Sequence, residues 1–266
     1  MTVTRKTIAK DVLFRGLALH AGEPTTAIVR PGEEGIIFNF GEQKIAAVPE
    51  NVTHTSRCTC LGPVSTIEHM MSAFAALGIT DVEVELTYPE LPALDGSSQE
   101  YFLAFDQAGL EEIGQLEIPT LFKRVFVEEG GAKIAIAAGS GRWRYELTPR
   151  YDWMGEQNFE TENVTEGYRA DIAPARTWAY EDEIDYLRSN GFGRGLTLDS
   201  AVVIQETQYL NKPKFPTEPS RHKLLDLVGD LYLAGYPIHA LSVTGVGSGH
   251  RLNVQAAAAI RAHLGT

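Results

Sequence analysis

One helix–strand unit occurs twice in this chain of 266 residues, and any fold it adopts has to house both copies. The first reads TIEHMMSAFAALG followed by DVEVEL. The second reads LLDLVGDLYLAG followed by IHALSV. Aligned on Gly78 and Gly235, the units superimpose without a gap, so that His69 falls on Asp226 and Val82-Glu83-Val84 on His239-Ala240-Leu241. Similar β-like segments precede each unit: VLFRGLALHAG, TTAIVRPG and EGIIFNF before the first, FKRVFVEEGG, AKIAIAAG and RWRYELTP before the second. A single match of so long a period excludes a solenoid and predicts an α+β fold made of two similar α/β halves. The boundary falls near Gly114–Thr120, after the EYFLAFDQAGL helix, giving halves 1–118 and 119–266. Residues 155–175 read as a polar loop. Residues 180–204 read as a short helix, a Gly-rich turn (GFGRG) and a strand, inserted in the second half.

The second helix carries an anomaly. In SRHKLLDLVGDLYLAG, residues 220–235, the leucines and Val228 supply an apolar face, and Gly235 and Pro237 provide the stop. Yet His222, Asp226 and Asp230 recur every four residues along one side of the same cylinder. If an approximate two-fold relates the halves, His69 and Asp226 sit on facing helices near its axis, with His222 one turn away. Two histidines and an aspartate are an adequate set for Zn²⁺ with a fourth position open to water. Ser220 and Ser65 read as N-caps that place His222 and His69 in first turns, where the helix dipole favours a neutral, ligating imidazole. The same His222–Asp226 spacing also describes an ordinary pair on a helix surface. Glu68 is equally double. STIE, residues 65–68, is a capping-box pattern, while adjacency to His69 suits a general base for metal-bound water. His250, after the Gly-rich GVGSG, is either a general acid kept cationic by Asp230 or a solvated loop histidine. His239 reads as a strand residue and His263 as surface.

Composition narrows the function classes. A net charge of −12 argues against a broad nucleic-acid or anionic-membrane surface. No apolar run approaches the ~18 residues of a membrane helix, and MTVTRKTIAKDV lacks the apolar core of a signal peptide. Cys58 and Cys60, two apart, make a poor disulfide. The expectation is a monomer of a reducing cytoplasm.

Seven segments, GLALHAG, HTSRCTCLG (54–62), STIEHMMSAFAALGI (65–79), ELPALDGS (90–97), ARTW (175–178), SRHKLLDLVGDLYLAG (220–235) and SGHRLN (248–253), occur in an order that resembles the UDP-3-O-acyl-N-acetylglucosamine deacetylases, zinc amidases of lipid A synthesis. The resemblance spans nearly the whole chain. It implies helices packed between two sheets, an insert in each half, and hydrolysis of the acetamido group of UDP-3-O-acyl-N-acetylglucosamine as small-molecule substrate. It makes His69, His222 and Asp226 ligands of Zn²⁺, with Fe²⁺ an alternative occupant. Glu68 matches the general base, His250 the cationic acid, Asp230 its orienting carboxylate, and Thr177 an oxyanion hydroxyl. Lys223 matches a substrate-contacting cation and Cys58 a lining residue. Residues 180–204 stand where the family builds its acyl passage, with Ile184 and Leu187 as wall residues. Trp178 stands in the site where the family usually has Phe, the turn between Cys60 and Ser65 is short, and GVGSG lacks the usual basic residue. Two rival readings are a 2-His-1-carboxylate iron oxygenase, whose ligands usually sit on strands, and an idle sugar-nucleotide-binding relative.

Overall fold

In the computed structural model, which describes residues 1–265, two five-stranded mixed sheets repeat one topology. The first runs Val12–Leu17, Pro24–Pro31, Val82–Leu86, Ile36–Phe40, Gln43–Ala46. The second runs Val125–Glu129, Ala132–Ala138, Leu241–Val246, Trp143–Leu147, Gln157–Thr161. In each, the third strand lies antiparallel to the second and parallel to the fourth. Alternation explains their inner faces: Val82, Val84 and Leu86 are buried along the third strand of one sheet, and Leu241, Val243 and Gly245 along its counterpart in the other. Met1–Ile8 territory is held by Thr2–Ile8 pairing with Leu110–Glu117.

Six helices occur among the described residues: α1 (Glu68–Leu77), α2 (Gln99–Ala108), α3 (Val164–Gly167), α4 (Ile184–Ser189), α5 (Glu218–Tyr232) and α6 (His250–Leu264). α1 is buried from Glu68 through Ala76, and α5 is buried on nearly every side. A helix covered all round belongs in the middle of a core, and one continuous apolar cluster joins side chains of both sheets to α1, α5 and α6. α1 and α5 cross in close contact at Gly229, where a Cβ would stand 2.0 Å from the Glu68 carbonyl oxygen. Glycine there is a requirement of the packing.

The duplication holds, with one correction. The strand opens at Val82 after Gly78 but only at Leu241 after Gly235, because Ile238–Ala240 forms a 3-10 turn. The second unit therefore has two extra residues, and His239 is a turn residue. Residues 155–175 are also more structured than a loop: Gln157–Thr161 is the edge strand of the second sheet, and α3 follows, capped by the Asn163 side chain. Residues 180–204 do give α4, the glycine turn and the strand Ala201–Ile204. That turn is stitched to the first half, since Arg194 and Gly195 amides donate to the His20 and Leu19 carbonyls. Gly195 has no space for a side chain, as its Cβ would lie 2.2 Å from the Ala18 oxygen.

Candidate functional site

Neither expected serine cap forms. Thr66 has a φ of 64°, a left-handed conformation that cuts Ser65 off from α1, and Ser65 instead donates to the Pro89 carbonyl. α1 thus starts at Glu68, which leaves Glu68 free of a capping box. Its Oε2 accepts the Thr59 amide at 3.0 Å. α5 starts at Glu218, and Ser220 donates back to the Thr217 carbonyl, so His222 stands beyond the first turn. Burial rather than the dipole is what acts on it, pushing the imidazole down to about 3 and so keeping it neutral.

The three candidate ligands do converge. Asp226 Oδ1 lies 3.6 Å from His69 Nε2 and 3.5 Å from His222 Nε2, and the two rings stand 5.0 Å apart at 84°. Bonds of about 2.0–2.1 Å in a tetrahedron would set donor atoms about 3.3–3.4 Å apart, so this spacing fits one small cation. A second observation agrees. Asp226 Oδ1 is buried and has no hydrogen-bond partner among the described residues, a costly state for a carboxylate unless a cation meets it. Its other oxygen accepts from Lys223 Nζ at 2.9 Å. Burial would raise this carboxyl, but its imidazole and ammonium partners, His222 and Lys223, outweigh it and hold it well below the usual range. His222 Nδ1 lies 3.1 Å from the Ala175 carbonyl, which leaves Nε2 for the ligand position. Backbone at 175–176 is itself fastened to α5 by the buried Arg176–Glu218 pair, in which both the Arg176 amide and Nε donate to Glu218 Oε1 at 2.9 Å.

Glu68 and His250 flank the trio. Burial raises the Glu68 carboxyl, against the lowering influence of His250 and His69. His250 is no loop residue: it is buried and opens α6, with Gly249 as N-cap. Its Nδ1 is 3.0 Å from Asp230 Oδ2. Burial disfavours its cation, yet the facing Asp230 carboxylate prevails and lifts it to about 9. Asp230 is saturated, accepting from Asn253 Nδ2 at 2.9 Å and from Thr59 Oγ1 at 2.5 Å as well. Thr59 and Asn253 are site residues that sequence reading passed over. Asn253 stands three residues beyond His250 in SGHRLN, on the same helix face, and that spacing was the available signal.

A cavity of about 740 Å³ opens beside this cluster, and Thr177, Lys223 and His250 are in its wall. Trp178, Ile184 and Leu187 line it too, together with Phe192, Leu196 and Leu198 from the glycine turn and beyond. Most of this wall is apolar. His20 reaches it from the first half, its Nδ1 accepting the Gly193 amide at 3.2 Å. Cys58 is buried next to Cys60 and is not among the described residues that line the cavity. Both cysteines are free thiols.

This constellation can hold one cation, offer it a carboxylate base and a charged imidazole, and seat an apolar chain alongside. Comparison with known proteins bears on it directly. Residues 5–262 match the family model described as UDP-3-O-acyl N-acetylglycosamine deacetylase (LpxC). The chain is 36% identical over 265 residues to a UDP-3-O-acyl-N-acetylglucosamine deacetylase of Chlamydia muridarum, covering 94% of this chain and 92% of that one. A protein of the same name from Campylobacter jejuni is 35% identical over 93% of this chain and 88% of its own length. Another from Syntrophotalea carbinolica is 33% identical over 95% and 86%.

Proposed function

The chain belongs to the UDP-3-O-acyl N-acetylglycosamine deacetylase family, and from that premise we propose that it removes the N-acetyl group of UDP-3-O-acyl-N-acetylglucosamine as a zinc-dependent monomer of the cytoplasm, releasing acetate. In this reading His69 Nε2, His222 Nε2 and Asp226 Oδ1 hold Zn²⁺, or Fe²⁺ in its place. The observation that carries it is the orphaned Asp226 Oδ1 set 3.5–3.6 Å from two imidazole nitrogens. When bound, such a cation supplies an acidified water and polarises the amide carbonyl.

The chain's own residues do the rest. Glu68 has one oxygen anchored by the Thr59 amide, which leaves Oε1 to take the proton of the attacking water. Its carboxyl, raised by burial, is a better base than an exposed glutamate. His250, cationic through Asp230, faces the developing oxyanion and then delivers a proton to the leaving amine nitrogen. The Thr177 hydroxyl donates to the same oxyanion, Lys223 contacts the polar part of the substrate, and Cys58 lies behind the site. The fatty chain runs along Ile184 and Leu187, with Trp178 at the entrance. Residues 1–118 supply Glu68 and His69 together with Cys58 and Thr59, and residues 119–266 supply His222, Asp226, Asp230, His250, Thr177 and Lys223.

An acetate-release assay over several acyl lengths, with and without chelator, tests this on the wild type and Glu68→Ala. Expected are activity that chelation abolishes and Zn²⁺ restores, and a loss of ~10²–10⁴-fold in Glu68→Ala. Acetate release that is indifferent to both would refute the reading.

A further inference from the structure

Thr59 is a buried residue gripped at every polar atom. Its amide donates to Glu68 Oε2 at 3.0 Å, its carbonyl accepts the Ile67 amide at 3.3 Å, and its hydroxyl donates to Asp230 Oδ1 at 2.5 Å. Among the described residues it is the one that bonds both to the base and to the carboxylate that charges the acid. On either side of it stand the chain's two cysteines, with their Sγ atoms 3.6 Å apart. Arg57, just before, holds a φ of 67°, so the backbone at this corner is already off its preferred wells.

We propose that Cys58 and Cys60 are a reversible oxidation site, and that closing them into a disulfide switches off the deacetylase by drawing Thr59 away from Glu68 and Asp230. The inference rests on the roles given to those two carboxylates above. A disulfide needs its sulfurs at about 2.05 Å, whereas these stand 3.6 Å apart. The contraction therefore falls on the φ and ψ of the intervening residue, and Thr59 cannot turn without releasing at least one of its three bonds. The ring is small and strained, which makes the bond easily reduced and so suited to regulation.

Cys60 is the more accessible thiol, and the Cys58 S–H beside it lowers its pKa against the effect of burial. The same contact, with burial added, pushes the Cys58 thiol up. Cys60 as thiolate attacks a small-molecule disulfide, forming a mixed disulfide and expelling one thiolate. Cys58, on losing its proton to solvent, attacks the Cys60 sulfur and expels the second. Two cysteines are oxidised, one external disulfide is reduced to two thiols, and nothing remains attached to the protein.

The test uses the metal-loaded full chain incubated with oxidised glutathione, followed by thiol titration, intact mass and acetate release. Expected are the disappearance of two thiols, a mass lower by two hydrogens, and a rate reduced at least about tenfold that dithiothreitol restores. Cys60→Ser, with Cys60→Ala as a second version, keeps its full rate through the same incubation. Thiols that stay free, a disulfide that forms without loss of rate, or a Cys60→Ser enzyme that is inhibited equally would each overturn the proposal. A reduced wild type with no amidase activity counts instead against the proposed function, and the thiol count and mass still decide whether the disulfide forms.

Discussion

Gly229→Ala is the substitution in which two general rules give opposite signs. Helix propensity favours alanine over glycine by about 1 kcal/mol in an exposed helix, and Gly229 lies inside α5. Packing opposes it. A Cβ at this position would stand 2.0 Å from the Glu68 oxygen, 2.9 Å from the Glu68 carbonyl carbon and 3.0 Å from the Ser72 nitrogen. All three are backbone atoms of α1, so no side chain can swing aside. Moving from 2.0 Å to the 3.4 Å at which ordinary contact begins requires the helices to part by about 1.4 Å. Overpacking costs about 1–3 kcal/mol, and a backbone-to-backbone clash this deep belongs at the upper end; about 3 kcal/mol less the propensity gain of about 1 leaves about 2 kcal/mol, which lowers the melting temperature by about 4–8 °C in a chain of this size. The displaced atoms belong to Glu68, next to His69, while His222 and Asp226 stay with α5. A metal site tolerates only about 0.2 Å in its ligand distances, so zinc affinity falls by about 10–100-fold. Differential scanning calorimetry and metal analysis after dialysis against a weak chelator read the two effects separately. A variant that melts at or above the wild-type temperature, with its metal retained, refutes the reasoning.

Two further outcomes follow from the same geometry. His250 is lifted to about 9, so its cation is present below that pH and is lost as pH rises through it. The rate of acetate release therefore falls above about pH 9, and His250→Gln loses ~10²–10³ in rate and that basic limb with it; a limb that persists in the variant removes His250 from the acid role. Leu187→Trp fills part of the apolar wall and shortens the preferred acyl chain, because each methylene denied burial forfeits about 0.8 kcal/mol. kcat/KM for long-chain substrates then drops about tenfold or more, with short-chain substrates spared, and an equal loss for all lengths contradicts the passage.

The halves were readable because each must bury the same helix between similar strands, so their apolar patterns stay in step. What the pattern did not carry was the offset between them, since Ile238–Ala240 adds a turn without disturbing either hydrophobic run. The caps were misread for a similar reason. Ser65 and Ser220 have the right residue type, yet a left-handed Thr66 in one case and Pro219 within the first turn in the other move the helix start elsewhere. α6 escaped notice because its N-cap is Gly249, which has no side chain to announce it. Around the candidate ligands, Thr59, Asn253 and the Ala175 carbonyl were the groups passed over. Thr59 meets Asp230 across 171 positions of sequence, and Ala175 contributes only a carbonyl oxygen. Such contacts depend on the packing of the halves, and no local spacing encodes them.

Asp226 and Asp230 show what that packing decides. They are one turn apart on the same face of α5, and both are buried. Sequence makes them equivalent; partners do not. Asp230 is filled on both oxygens by Thr59, His250 and Asn253, so its charge is spent on keeping an imidazole protonated. Asp226 meets Lys223 on one oxygen only, and the other looks onto two imidazole nitrogens that do not hydrogen-bond it at 3.5–3.6 Å. A buried carboxylate left in that state is costly, and the cost is removed when a cation binds between the three groups. On the proposed reading, the polar row on an otherwise apolar helix is two sites in series, one saturated to hold a proton and one able to take a metal.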